Sequence, residues 1–192
     1  TVTLISNALK AWEAKEEGRV AVEAVKLELY QQNPPIAKMD ATLNTCVECE
    51  HLALSTNTID RMVPLAGMSK LRILSLGRNN IKKIEHLDAN AGTLEELWLS
   101  YNQIMSLDGL DSLTNLAVLY LSNNKIKHWA ELDKLASLPN LKEVLFIGNP
   151  IYEEFSKEMA RVEVLKHLPN LVKLDGDMVK PSEREMALEV PE

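Results

Sequence analysis

The sequence predicts an α/β solenoid, with a parallel β-sheet along one face and short helices or 3₁₀ turns along the other. Three observations predict it. An asparagine recurs at 57, 79, 102, 124 and 149, at spacings of 22, 23, 22 and 25 residues. Ahead of each stand two alternating apolar residues: Leu52 and Leu54, Leu74 and Leu76, Leu97 and Leu99, Leu119 and Leu121, Val144 and Phe146. Two residues after each stands an isoleucine: Ile59, Ile81, Ile104, Ile126 and Ile151. A fixed period of this length marks a stacked repeat array.

Each slot has a physical job. In "LRILSLGRNNIKKIEHL", residues 71–87, Leu74 and Leu76 alternate as inward residues of a short strand do. Ile81, Ile84 and Leu87 then follow at three-residue steps, as on a short helical or 3₁₀ segment. Asn57, Asn79, Asn102, Asn124 and Asn149 sit where the chain turns inward. Their amides carry donors and an acceptor for backbone groups the turn leaves unpaired, so they read as a structural ladder. No single copy can bury its own apolar face, and stacking makes one continuous core. This is the leucine-rich-repeat signature. A degenerate copy precedes the series (Ala24, Leu27, Leu29, with Gln32 in the asparagine slot), and another trails it (Leu168, Leu171, Leu174).

The expected organisation is an N-terminal capping helix within 1–19, about six repeats over 20–152, and a C-terminal cap over 153–192. Ile5, Leu9 and Trp12 recur at helical spacing in residues 3–17, with Gly18 to end the helix. Pro34 and Pro35 add rigid bulk in the first turn. After Asn149 and Pro150 the pattern becomes helical, with Met159, Val162 and Leu165 on one side. "LPNLVKLDG" supplies a last strand, and Ser182 with Glu185 are spaced as the capping box of a final helix. That helix is too short to be stable alone, so it either docks or projects. Because the first residue is Thr1 rather than a methionine, some preceding residues are expected.

Composition excludes several function classes. A net charge of −7 argues against nucleic-acid binding, which rests on phosphate neutralisation. No apolar run reaches a membrane span and no signal-peptide pattern opens the chain, so a soluble, non-secreted monomer is expected, with no membrane partner. Cys46 and Cys49 spell C-x-x-C, but Cys49 fills a leucine slot and no second Cys or His pair completes a metal site. The four histidines (51, 86, 128 and 167) are scattered, and no nucleotide-binding, metalloprotease or serine-hydrolase motif is present. The expectation is a protein that is not an enzyme and takes no cofactor or metal.

The outward strand positions point to protein contact. Trp98, Tyr120 and Leu145 occupy the same outward position in successive copies and should lie side by side, about 4.8 Å apart per strand. Val118, Ile147 and Tyr101 flank them, with Glu96, Glu143 and Arg78 adding charge at the rim. Contiguous apolar patches mark contact sites, and Trp and Tyr dominate interface energetics. A terminal element folded over the patch would instead make it core.

Beyond the repeat pattern, "NPPIAKMDATLNT", "HLALSTNTID", "TLEELWLSYNQI", "LYLSNNKIKHWAELDKLASL" and "VLFIGNPIYEEF" give the chain a resemblance to the light chain 1 family of the axonemal outer dynein arm. The resemblance implies a non-enzymatic subunit in cytoplasm, cytoskeleton and ciliary or flagellar axoneme. It implies binding to the motor region of a dynein heavy chain, and contact with tubulin or the microtubule. By the same resemblance the patch around Trp98 is the heavy-chain site. Met178, Lys180 and Arg184 of the terminal cap become contacts for motor or microtubule, with plain solvated cap residues as the alternative. The 22-residue repeats also resemble nuclear repeat subunits, which leaves a scaffold for a spliceosomal ribonucleoprotein or a phosphatase complex as the second reading.

Overall fold

A computed structural model describes residues 1–189. Eight short strands form one sheet in chain order: β1 Lys26–Glu28, β2 His51–Ala53, β3 Ile73–Ser75, β4 Glu96–Trp98, β5 Val118–Tyr120, β6 Glu143–Leu145, β7 Lys173–Leu174 and β8 Asp177–Met178. Strands β1 to β7 pair in parallel, each with the next copy of the motif; only β7 and β8 are antiparallel. The opposite side carries 3₁₀ segments at Ala21–Glu23, Ala41–Thr45, Asp88–Asn90, Trp129–Leu135 and Pro150–Tyr152. Helix α1, Ile5–Lys15, closes one end; α2, Lys157–His167, and α3, Pro181–Leu188, close the other.

The leucine slots make the core: Leu27, Leu52, Leu74, Leu97, Leu119, Val144 and Leu174, one from each parallel strand, are fully buried along the coil. Both cysteines are buried, and burial pushes the Cys49 thiol up to about 12, so the C-x-x-C is packing rather than a reactive pair.

The asparagines stitch adjacent turns. Each donates from Nδ2 to the carbonyl three residues back and to the matching carbonyl of the preceding turn. Each also accepts at Oδ1 from a backbone N–H of that preceding turn. For Asn102 the partners are Leu99 O at 3.0 Å, Leu76 O at 2.9 Å and Ile81 N at 2.9 Å. The same set recurs at Asn57, Asn79, Asn124 and Asn149. Gln32 does not join the ladder, and its amide goes to Tyr30 O instead. In the last turn the asparagine slot holds Val179, and a different residue, Asp175, ties the hairpin back, its Oδ1 accepting from Phe146 N and Ile147 N. Asn102→Ala leaves the Ile81 N–H buried and unpaired, while Leu76 O and Leu99 O each keep the Nδ2 of the neighbouring asparagine, Asn79 or Asn124, so it should cost roughly 1–3 kcal/mol by chemical denaturation. A loss within about 0.5 kcal/mol, the spread of ordinary surface substitutions, would contradict that role.

The residue before each asparagine is left-handed: Thr56, Arg78, Tyr101, Asn123 and Gly148 have φ of 56°, 54°, 59°, 56° and 84°. This one residue redirects the chain from the sheet toward the far side. Gly148 has a second reason to be glycine, because a Cβ there would stand 2.3 Å from Asn123 Oδ1.

The caps differ in detail from the sequence expectation. Helix α1 spans Ile5–Lys15 and buries Ile5, Ala8, Leu9 and Trp12 on the first turn. Helix α2 starts only at Lys157, capped by Ser156, and Met159 is exposed. Its buried arc holds Ala160, Arg161, Val162, Val164 and Leu165, because α2 is covered by the solenoid on one side and by α3 on the other. The capping box at Ser182 and Glu185 is not formed. Pro181 takes the first helical position, so Lys180 is the N-cap, and the Glu183 carboxylate accepts its N–H at 2.9 Å. Asp175 and Gly176, both at positive φ, make the tight hairpin between β7 and β8. Helix α3 docks on α2.

Candidate partner-docking face

Strand register places Ser75, Trp98, Tyr120 and Leu145 as successive neighbours, and Glu96, Val118 and Glu143 as the row beside them. The Trp98 and Tyr120 rings stack, with centroids 5.8 Å apart and planes at 23°. The Tyr120 hydroxyl donates to Glu143 at 3.4 Å. Burial and then the Glu143 charge push this phenol above its ordinary value, so it stays a neutral donor. Trp98, Val118, Tyr120 and Leu145 are half-buried, while Tyr101 and Ile147 are 45% and 49% exposed. Arg78 lies over the Tyr101 ring, its guanidinium carbon 4.0 Å from the centroid. Both residues occupy the left-handed position of consecutive turns, which aims them together at the edge of the face.

Neither terminal helix supplies a lid. Helix α1 packs on Ala21–Glu23 and Ala41–Thr45, and α2 packs on Trp129–Leu135 and α3. The rim is charged: Arg72 pairs with Glu95 and Glu96 at 3.3 and 3.8 Å, and Lys173 with Glu143 at 3.7 Å.

Part of the face is closed by the protein itself. Ala53, Ile73 and Ser75 hold outward register positions, yet each is buried, at 6–7% exposure. The cause is the Trp98 indole, which reaches across β3 to meet His51 on β2 edge-on, 5.4 Å between centroids at 81°. Small residues at 53 and 75 leave the room. Sequence reasoning set His51 aside as one of four scattered histidines. The signal that finds it is the pair of small residues, Ala53 and Ser75, in the Trp98 row, which leaves the indole room to lean toward β2. Burial first, then Lys26 and Arg72, hold the imidazole below its ordinary value against the pull of Glu28. His51 Nε2 and Trp98 Nε1 are both buried without a hydrogen-bond partner among the described residues.

The other sequence-singled residues lie at the C-terminal end. Met178, on β8, is exposed, and Lys180 is exposed at the start of α3 without an ion pair among the described residues. Arg184 turns back to donate to the carbonyls of Pro169 and Leu171, so in this arrangement it clamps α3. Among the described residues no cluster of His, Cys, Asp or Glu could hold a metal ion. Taken together, the face offers an aromatic and aliphatic strip with a charged rim.

Comparison with known proteins agrees with the architecture and adds a family. The family model for the NXF1/2/3/5 leucine-rich repeat domain matches residues 82–176. Among solved structures, the Drosophila melanogaster SNF/U2A′ complex contains a chain similar to this one with a TM-score of 0.61 at 22% identity, covering 85% of this chain and 91% of that one. The functional domain of InlJ from Listeria monocytogenes aligns with a TM-score of 0.62 at 19% identity, covering 97% of this chain and 35% of that one. At such identities these likenesses concern the fold alone. Much nearer in sequence is the dynein axonemal light chain 1 of Chlamydomonas reinhardtii, 57% identical over 189 residues, 96% of this chain and 95% of that one. Those of Danio rerio and Homo sapiens are 50% and 49% identical, with about 95% of each chain covered. The chain therefore belongs to the axonemal dynein light chain 1 family, built on the leucine-rich-repeat fold.

Proposed function

We propose that this light chain binds the motor region of a dynein heavy chain through its concave sheet face and tethers or regulates that motor on microtubules. The observation that carries the reading is the strip of Trp98, Tyr120 and Leu145, in register on three adjacent strands, half-buried and left uncovered by the helices at either end. Val118, Ile147 and Tyr101 extend it, and Glu96, Glu143 and Arg78 give its edge a charge pattern that a partner can match. The mechanism is contact, not chemistry: aromatic anchors supply the affinity and the charged rim the register.

Met178 and Lys180 form a second point of contact, for the motor or for tubulin. Lys180 suits an acidic surface, and Arg184 joins only if it gives up the carbonyls of Pro169 and Leu171.

Affinity capture from ciliary extract, read by mass spectrometry, tests the partner. A dynein heavy chain is expected as the main species retained. Retention of splicing factors or a phosphatase with no heavy chain would replace this reading with the nuclear scaffold.

A further inference from the structure

The flank reached just after each asparagine carries charge of mainly one sign. Its register is fixed by the backbone: the N–H groups of Thr58, Asn80, Gln103 and Lys125 donate to the carbonyls of Ile36, Ile59, Ile81 and Ile104 in the preceding turns, at 2.8–2.9 Å. The two residues after each isoleucine of this slot are therefore stacked turn upon turn. They are Ala37 and Lys38, Asp60 and Arg61, Lys82 and Lys83, Met105 and Ser106, then Lys127 and His128. Lys38, Arg61, Lys82, Lys83, Lys125 and Lys127 are all exposed, and Asp60 is the one carboxylate among these positions. The chain as a whole has 21 Lys and Arg against 28 Asp and Glu, so this concentration runs against its composition. We infer that this flank is a docking surface for an acidic, extended segment of a partner protein. It lies apart from the sheet face and does not depend on the reading of that face.

Elsewhere on the coil, a cation in one turn meets a carboxylate in the next. Lys70 pairs with Glu48 at 2.6 Å, Arg72 with Glu95 at 3.3 Å and Lys173 with Glu143 at 3.7 Å. On the flank the matching is missing. Lys83 reaches Glu85 at 3.5 Å, but Lys38, Arg61, Lys82, Lys125 and Lys127 make no ion pair among the described residues. Asp108 and Glu131, which follow in the same turns, are both held by Lys134 at 2.8 Å. Like charges left unmatched repel one another, and an acidic ligand relieves that repulsion. The cations recur from turn to turn, as a line along the coil. A compact anion reaches one or two of them, whereas an extended chain sets successive carboxylates against successive turns. Met105, 55% exposed in the row between Lys82 and Lys127, adds an apolar contact. A nucleic-acid strand fits less well. Single strands depend on stacking against aromatic rings, and these positions hold no Phe, Tyr or Trp. The adjoining Trp129 is already packed by Tyr152, Phe155 and His167.

The test is fluorescence anisotropy of a labelled polyglutamate peptide titrated with the full chain, at ionic strengths of about 0.05 M and about 0.15 M, between which screening of surface charge increases. Saturable binding that weakens at the higher salt is the expected result. Lys82→Glu combined with Lys127→Glu should weaken it at least about tenfold. Both side chains are exposed, so the circular dichroism spectrum should not change. Lys10→Glu combined with Lys142→Glu makes the same change in net charge at exposed positions off the flank, and should bind as the wild type does. Trp98→Ala with Tyr120→Ala should also bind polyglutamate as the wild type does, because the sheet face is not used. Absence of binding at the lower ionic strength overturns the inference. Equal losses in the two charge-reversed pairs also overturn it, since the attraction then belongs to the field of the whole chain. Tighter binding of polyuridine RNA than of polyglutamate overturns it in favour of a nucleic-acid surface.

Discussion

Arg161→Ala should destabilise the C-terminal cap by about 3–5 kcal/mol, the range for removing one partner of a buried ion pair. Arg161 is 6% exposed, and its guanidinium serves several acceptors at once. Its Nε and Nη2 donate to the two Glu183 oxygens at 2.6 and 3.1 Å, its Nη1 donates to Leu174 O, and Nη2 also reaches Met178 O at 3.3 Å. One side chain therefore ties α2, the β7–β8 hairpin and α3 together. Deleting it takes the cation from the Glu183 carboxylate, which keeps only the Lys180 N–H, and takes donors from two carbonyls in a poorly solvated site. Lysine should not rescue, because an ammonium lacks the planar fork that serves the carboxylate in pairs. Since each turn of a solenoid contacts only its neighbours, the damage should be local, with hydrogen exchange rising in α3 and the hairpin before the central repeats. The same pair predicts acid sensitivity. Arg161, through its hydrogen bond, holds the Glu183 carboxyl below its ordinary value of 4.5. That contribution is complete above pH 4.5 and is lost as pH falls through the lowered folded value. A loss below about 1 kcal/mol for Arg161→Ala would place it among weak surface pairs and contradict its role as the cap's tie.

Trp98→Ala combined with Tyr120→Ala should leave the circular dichroism spectrum and monomer size unchanged while weakening heavy-chain binding by about 2 kcal/mol or more, roughly 30-fold. The two rings stack on each other and lie half-buried on the sheet face, whereas the core under them is made by Leu97 and Leu119, which are fully buried. Their truncation removes anchors rather than foundations. Leu97→Ala is the counterpart: it should lose about 2–5 kcal/mol of stability as a core truncation. If the double variant unfolds, the rings are structural and the docking reading loses its anchors. If it folds and binds as well as the wild type, the partner contacts another face.

The repeat architecture was legible because its physics is periodic. Leu97 and Leu99, set two apart, could only be a strand with one buried face, and Asn102 at a fixed offset could only be the turn. What escaped the sequence was aperiodic. Asp175 is one case: it directly follows Leu174, in the row of Leu145 rather than in the asparagine slot, yet its carboxylate accepts from two backbone N–H groups of the preceding turn. Arg161 looks like any charged residue on a helix until α3 folds over it. Ile73 and Ser75 hold outward register positions and are buried anyway, because a tryptophan from the next strand lies across them. That lean depends on side-chain volume at 53 and 75, which no period encodes. The same lean made His51 part of the face, although the sequence showed it only as one of four scattered histidines.

The most direct test of the docking claim is oxidative footprinting of the protein with and without the heavy-chain motor fragment, reading the side-chain oxidation of Trp98, Tyr120 and Tyr101. Protection concentrated on these three, with the exposed Met105, which lies past the turn and outside the strands, unchanged, is the predicted result. Unaltered oxidation of all three under saturating partner, with protection appearing elsewhere, would contradict it.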